Sequence, residues 1–126
     1  STLDLTGVDL YTGRVTLKKA GAPATFVRKN GRVMVREMPS LPVGILNGVK
    51  FSSDAVNLSS GDMVVMVSDG VITGDEKWLE KLIRSWNEGS TQELARAVVD
   101  EAIKRRGDSP DDDITALAIR ITDNEI

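Results

Sequence analysis

A chain of 126 residues is one domain's worth, long enough to bury a single modest core and too short for several. Its 40% apolar and 28% charged residues are those of an ordinary globular domain, and 16 basic against 19 acidic residues leave a net charge of −3, which argues against nucleic acid as the main partner. With neither Cys nor His, the chain can build no disulfide, thiol nucleophile, zinc–thiolate site, serine–histidine triad or histidine–metal site, so chemistry falls to carboxylates, Lys, Arg, one Tyr and hydroxyls.

The longest unbroken apolar run, Met63 to Val67, is far short of the roughly 20 residues that span a bilayer. No charged leader followed by an apolar stretch opens the chain. It starts directly inside a strand-like pattern, as a piece cut from a longer protein would.

Leu3, Leu5 and then Val8, Leu10 alternate with a change of phase near Gly7, which predicts a strand with a bulge there. The turn Tyr11-Thr12-Gly13 follows, and Val15-Thr16-Leu17 alternate again. After the break at Ala20-Gly21-Ala22-Pro23, the segments 24–28 and 32–38 flank Asn30-Gly31, the strongest short hairpin signal available. An antiparallel meander over the first 38 residues is therefore expected. Pro39, Pro42, Gly44 and Gly48 mark a loop over 39–49, and 50–58 reads as a further strand. Ser59-Ser60-Gly61-Asp62 then turns the chain into Met63–Val67, apolar on both faces and so a central strand covered on both sides.

Two helices come next. Thr73 and Glu76 stand at capping-box spacing ahead of Leu79, Leu82, Ile83 and Trp86, which recur at i, i+3, i+4 and i+7. Ser90 and Glu93 repeat the signature, with Leu94, Val98, Ala102 and Ile103 on one face and Gly107 just past the end. After the acidic loop 108–113, the segment 114–121 is a last strand, apolar on nearly both sides. The order ββββββααβ predicts an α+β fold in which sheet is covered by helices.

Two acidic positions stand out by placement. Asp69 ends the central strand within Ser68-Asp69-Gly70, and Asp111, Asp112 and Asp113 open the last one. If those strands are antiparallel neighbours, Asp69 and one of the three converge on one rim of the sheet. Carboxylates brought together in a partly dry site repel, so they take up a proton or hold a cation. Oxygen-only ligands favour Mg²⁺ or Mn²⁺, and such a metal lowers the pKa of bound water without help from His or Cys. Taken singly, an Asp-Gly after a strand is an ordinary turn and an Asp run an ordinary solvated loop.

Taken together, Asp-Leu-Tyr-Thr-Gly at 9–13, Lys-Ala-Gly-Ala-Pro at 19–23, Leu-Pro-Val-Gly-Ile-Leu at 41–46, Gly61-Asp62 leading into Ser68-Asp69-Gly70, and Asp112-Asp113-Ile114-Thr115 resemble the PPM-type metal-dependent protein serine/threonine phosphatases, in particular the bacterial stage II sporulation branch. The resemblance runs over essentially the whole chain, with five motifs in order. It implies an αββα sandwich with a binuclear Mn²⁺ or Mg²⁺ centre between antiparallel sheets. The implied reaction is hydrolysis of phosphoserine on a protein, a phosphorylated anti-anti-sigma factor in the sporulation branch, whose dephosphorylation frees a sigma factor. By motif, Asp69 and Asp112 are the implied metal ligands, with Gly70 and Asp113 secondary.

The departures carry expectations of their own. The Asp-Gly-Met-Gly-like element that supplies the family's metal-bridging Asp is absent, so residues 1–126 are expected to be the C-terminal portion of a phosphatase domain lacking its first strands and helices. A centre without its bridging ligand binds metal poorly, which predicts an inactive or nearly inactive isolated chain. Edges and apolar patches left by the absent block predict self-association. Ala22 and Pro23, where many eukaryotic-type members carry Asp-Ser, argue against a third metal of that kind. The resemblance also implies a membrane-anchored parent with its phosphatase part facing the cytoplasm. The rival reading is a non-catalytic phosphatase-like module that binds a partner protein, and a Ca²⁺-stabilised β domain ranks behind both.

The remaining conspicuous residues have plainer readings. Lys18, Lys19, Arg28, Lys29, Arg32 and Arg36 read as one basic cluster on the meander, a solvated strand face or a docking patch. Met34, Met38, Met63 and Met66 read as core filler, Trp86 as packing, and Trp78 as lying at the margin of the helix stripe.

Overall fold

The computed structural model describes residues 3–20, 23–36, 52–72, 75–87, 89–107 and 113–122. Seven strands and two α-helices follow one another as β1 (Leu3–Val8), β2 (Arg14–Ala20), β3 (Thr25–Lys29), β4 (Arg32–Arg36), β5 (Ser52–Asn57), β6 (Met63–Val67), α1 (Lys77–Ser85), α2 (Thr91–Arg106) and β7 (Ala116–Arg120), with a 3-10 turn at Asp69–Val71. That is the expected α+β order.

The strands form two sheets, β1-β2-β5 and β4-β3-β6-β7, with every pairing antiparallel. The expected continuous meander is therefore wrong. β2 and β3 do not pair, and the chain crosses from one sheet to the other around Pro23. Nor does Gly7 make a bulge: the register runs unbroken from Leu3↔Ala20 through Gly7↔Thr16 to Val8↔Val15. The change of phase has another origin. Val8 packs into the core between the sheets, whereas Leu5 stands 52% exposed on the opposite face of the strand.

Central placement of β6 follows from its composition. Met63, Val65 and Val67 join Phe26, Leu79, Ile83, Leu94 and Val98 in a core beneath the helices, while Val64 joins Val15, Leu17, Val27 and Leu58 in a second core between the sheets. An apolar side chain on each face of one strand thus buries into two layers at once. Helices, inner sheet and outer sheet make three layers of the implied αββα sandwich.

Local chemistry sets the turns. Asn30 and Gly31 both adopt positive φ, +53° and +77°, the conformation a two-residue hairpin between right-twisted strands requires. At the β1–β2 turn, the Asp9 carboxylate accepts from the N–H groups of Tyr11 and Thr12 at 2.9 and 3.2 Å. There Gly13 holds φ +72° and its carbonyl accepts from Leu58 N–H at 2.8 Å. Asp62, a buried carboxylate, accepts from Ser59 N–H at 2.8 Å and from Asn30 N–H at 3.1 Å, tying the β5–β6 turn to the β3–β4 hairpin.

Helix α2 matches its expected cap: the Ser90 hydroxyl accepts from Glu93 N–H at 3.1 Å, and Gly107 ends the helix at φ +59°. Ile103, expected on the buried face, is 46% exposed. Helix α1 starts later than its expected capping box. Glu76 is its N-cap without a side-chain bond, and the Asp75 carboxylate accepts Lys77 N–H instead, at 2.9 Å; Thr73 lies outside the described residues.

The basic cluster also dissolves. Lys18 and Lys19 lie on β2 and the other four on β3 and β4, in the second sheet. Arg28 is not solvated; its guanidinium donates to the carbonyls of Ile83 and Trp86 at 2.9 and 2.5 Å, capping the C-terminal end of α1 from beneath. Burial first, and the Arg120 charge second, lower the Arg28 pKa below its ordinary value, while Asp62 pulls it upward.

A Cβ on Gly13 would stand 2.1 Å from the Leu58 carbonyl oxygen, in a backbone conformation that disfavours any side chain. Gly13→Ala is therefore expected to destabilise the fold by roughly 2 kcal/mol or more. Ser90→Ala, which removes one cap, is expected to cost about 1 kcal/mol. Urea denaturation followed by circular dichroism measures both.

Candidate functional site

β6 runs antiparallel to β7 from Met63↔Arg120 to Val67↔Ala116, so the residue after β6 lies beside the residues before β7. The ladder continues past both strands through Ser68. Its N–H donates to Thr115 O at 3.0 Å, its hydroxyl donates to Asp113 O at 2.8 Å, and that hydroxyl accepts from Thr115 N–H at 2.9 Å. One small side chain thus clamps residues 45 positions apart.

Gly70 completes the junction. It is buried, and a Cβ there would meet Asp113 O at 2.3 Å, Asp113 C at 3.0 Å and Ile114 Cγ1 at 3.2 Å. The segment carrying Asp69 can lie this close to the segment carrying Asp113 only because residue 70 has no side chain. Asp69 opens the 3-10 turn, whose closing bonds run from Val71 N–H to Ser68 O and from Ile72 N–H to Asp69 O at 3.0 and 3.1 Å. The main chain at Asp69 is held on both sides while its side chain is exposed, as Asp113 is. A rigid backbone presenting an exposed carboxylate suits cation binding.

The structure brings Asp69 and Asp113 to one rim, with Gly70 at their junction, whereas Asp111 and Asp112 lie outside the described residues. Among the described residues no group of three acidic side chains is placed to hold a metal. The oxygen donors present fit a hard divalent cation in kind, and Asp69 is the carboxylate best anchored to offer one.

The rim collects further chain ends. β3 starts there and β4 ends there, as the pairs Thr25↔Met66 and Thr25↔Arg36 require, and in the other sheet β2 ends beside the start of β5 at Lys19↔Ser52. The expected loop over 39–49 falls between β4 and β5 in the chain and lies outside the described residues. A cavity of about 770 Å³ opens at the opposite end, between the Asp9–Gly13 turn and the end of β7, and shares no residue with the Asp69 rim. Sequence reasoning missed the structural duties of Ser68, Asp62 and Arg28, each of which bonds across a distance no local pattern encodes. Only the Ser-Asp-Gly order hinted at the first.

Gly70→Ala is expected to push residues 69 and 113 apart and to destabilise by roughly 2–3 kcal/mol. Ser68→Ala is expected to cost about 1–2 kcal/mol. Hydrogen exchange should show both losses as faster exchange of the Thr115 amide.

The fold has counterparts among known proteins. The family model for stage II sporulation protein E (SpoIIE) matches residues 1–122. The SpoIIE proteins of Bacillus subtilis strain 168 and Priestia megaterium are 29% and 30% identical to the chain over 98% of its length, which spans 16% and 22% of theirs. The solved phosphatase domain of the B. subtilis protein, presoaked with Mn, superposes with a TM-score of 0.81 at 28% identity, covering all of this chain and 58% of that one. With two antiparallel sheets, a helical layer on one of them and a family model matched over residues 1–122, the chain belongs to the stage II sporulation protein E family of PP2C-type phosphatases.

Proposed function

We propose that the chain is the C-terminal portion of a PPM-type phosphatase domain that, when complete, hydrolyses phosphoserine on a protein, and that Asp69 and Asp112 are metal ligands of its centre. The observation that supports this reading is the junction of Ser68-Asp69-Gly70 with Asp113, the chain neighbour of Asp112, across the β6–β7 ladder. Its coverage of 58% of a solved phosphatase domain supports the incompleteness.

In this reading Ser68 and Gly70 keep the backbone at Asp69 fixed, so that the carboxylate is preorganised and not recruited from solution. Asp69 and Asp112 supply oxygen ligands, and Asp113 holds the junction through its main chain. Manganese or magnesium, when bound, supplies activation of water at neutral pH and shielding of the phosphoryl oxygens. The substrate is a phosphorylated anti-anti-sigma factor, and the parent is anchored to a membrane with this domain facing the cytoplasm; among the described residues no helix is long and apolar enough to cross one. β1 and β7 are sheet edges among the described residues, each with an exposed leucine, Leu5 or Leu117, and they suit pairing with a second copy of the isolated chain.

The test is phosphate release from a phosphoserine protein by the complete domain of the parent, with Mn²⁺ present. Asp69→Asn and Asp112→Asn are each expected to lower the rate by about a hundredfold or more. The 126-residue chain alone should stay at background and show weak Mn²⁺ binding by calorimetry. Full activity in Asp69→Asn would remove the proposed site, and Mn²⁺-dependent hydrolysis by the isolated chain would remove the claim of incompleteness. Binding of the phosphoprotein by the complete domain with no phosphate released would favour the non-catalytic module.

A further inference from the structure

The two helices lie side by side on the outer face of the four-stranded sheet, and an open groove of about 420 Å³ runs between them. Half-buried Trp78 and Leu82 of α1 and Ala97 of α2 line it with apolar surface. The guanidinium carbon of Arg105 stands 5.1 Å from the centroid of the Trp78 ring, so a cation is already stacked on the aromatic plate. Arg105 Nε donates to Glu101 Oε1 at 2.9 Å, which fixes the arginine while its terminal nitrogens keep donors for another carboxylate. Lys81, exposed on the rim, makes no ion pair among the described residues.

The charge of this layer opposes that of the whole. α1 and α2 together hold seven Lys and Arg against four Asp and Glu, in a chain whose net charge is −3. The groove itself is lined by Lys81 and Arg105 against the one carboxylate of Glu101, which Arg105 already pairs, and this local excess of one positive charge on a negative molecule favours a short anionic partner over a long polyanion. Its apolar residues are half-buried, while Lys81 and Arg105 beside them are exposed. That shape receives a side chain and is poorly suited to a flat bilayer.

We propose that this groove docks an acidic amphipathic segment of a partner protein, with an apolar side chain seated on Trp78 and Leu82 and carboxylates facing Lys81 and Arg105. The proposal is independent of the metal centre and of the phosphatase reading, and it stands or falls without them.

Fluorescence anisotropy of a labelled peptide of repeating Glu and Leu, titrated with the 126-residue chain, tests it, with tryptophan emission as a second readout. Binding should weaken as salt rises and should change the emission. Lys81→Glu, at an exposed position, should weaken binding by about tenfold or more, while Lys18→Glu on the other sheet should leave it unchanged. Trp78→Leu should weaken binding too, with a melting curve confirming that it folds; if it does not fold, Lys81→Glu decides. Absence of binding, equal loss in Lys18→Glu, or no loss in Lys81→Glu would overturn the proposal. So would phosphatidylglycerol vesicles binding in a Lys81-dependent manner where the peptide does not.

Discussion

Backbone hydrogen bonding between β6 and β7 is the constraint on which the rim depends. Antiparallel pairing from Met63↔Arg120 to Val67↔Ala116 leaves no freedom in where the chain after β6 lies relative to the chain before β7. A slip of one residue would turn Val64 and Val65 to the wrong cores, so burial on both faces of β6 enforces the register that the site requires. Ser68 then extends the ladder by side chain where the strands themselves have ended.

Polar groups placed at the seams bind the layers together. Arg28 reaches from the sheet to the last carbonyls of α1, Lys29 Nζ donates to Asn57 O at 2.6 Å across the two sheets, and Asp62 joins two turns through a single buried carboxylate. Arg28 and Asp62 satisfy part-buried backbone groups, and Lys29 pairs a backbone carbonyl at the exposed margin of the two sheets. The apolar cores supply cohesion, and these contacts supply orientation.

Much of the architecture was legible in residue patterns because its causes are local. The Met63–Val67 run announced a strand buried on both faces, Asn30-Gly31 announced its turn through the positive φ it tolerates, and Ser90 with Glu93 announced the start of α2. Assignment of strands to sheets was not legible, since the break at 21–23 reads the same whether the chain turns back or crosses over. Arg28 passed for a solvated charge because its partners lie 55 and 58 residues away. For the site, Asp69 and Gly70 could be named from sequence, but the part Gly70 plays depends on an oxygen of residue 113, which only the fold brings within reach.

The two ends of the sandwich are built differently. At one end the connections are tight: the Asp9–Gly13 turn, Asn30-Gly31, and Leu58–Asp62, each braced by a positive-φ glycine or a captured carboxylate. At the other end, the segment Ser68–Ile72 after β6 and residues 113–115 before β7 are held together by the Ser68 hydroxyl and by the close approach that Gly70 permits. The end that carries Asp69 is thereby insulated from the turns that hold the strands in order. Such a scaffold can drift in recognition, by lengthening or rewriting the loops of one pole, while the other pole preserves the register inherited from a common ancestor.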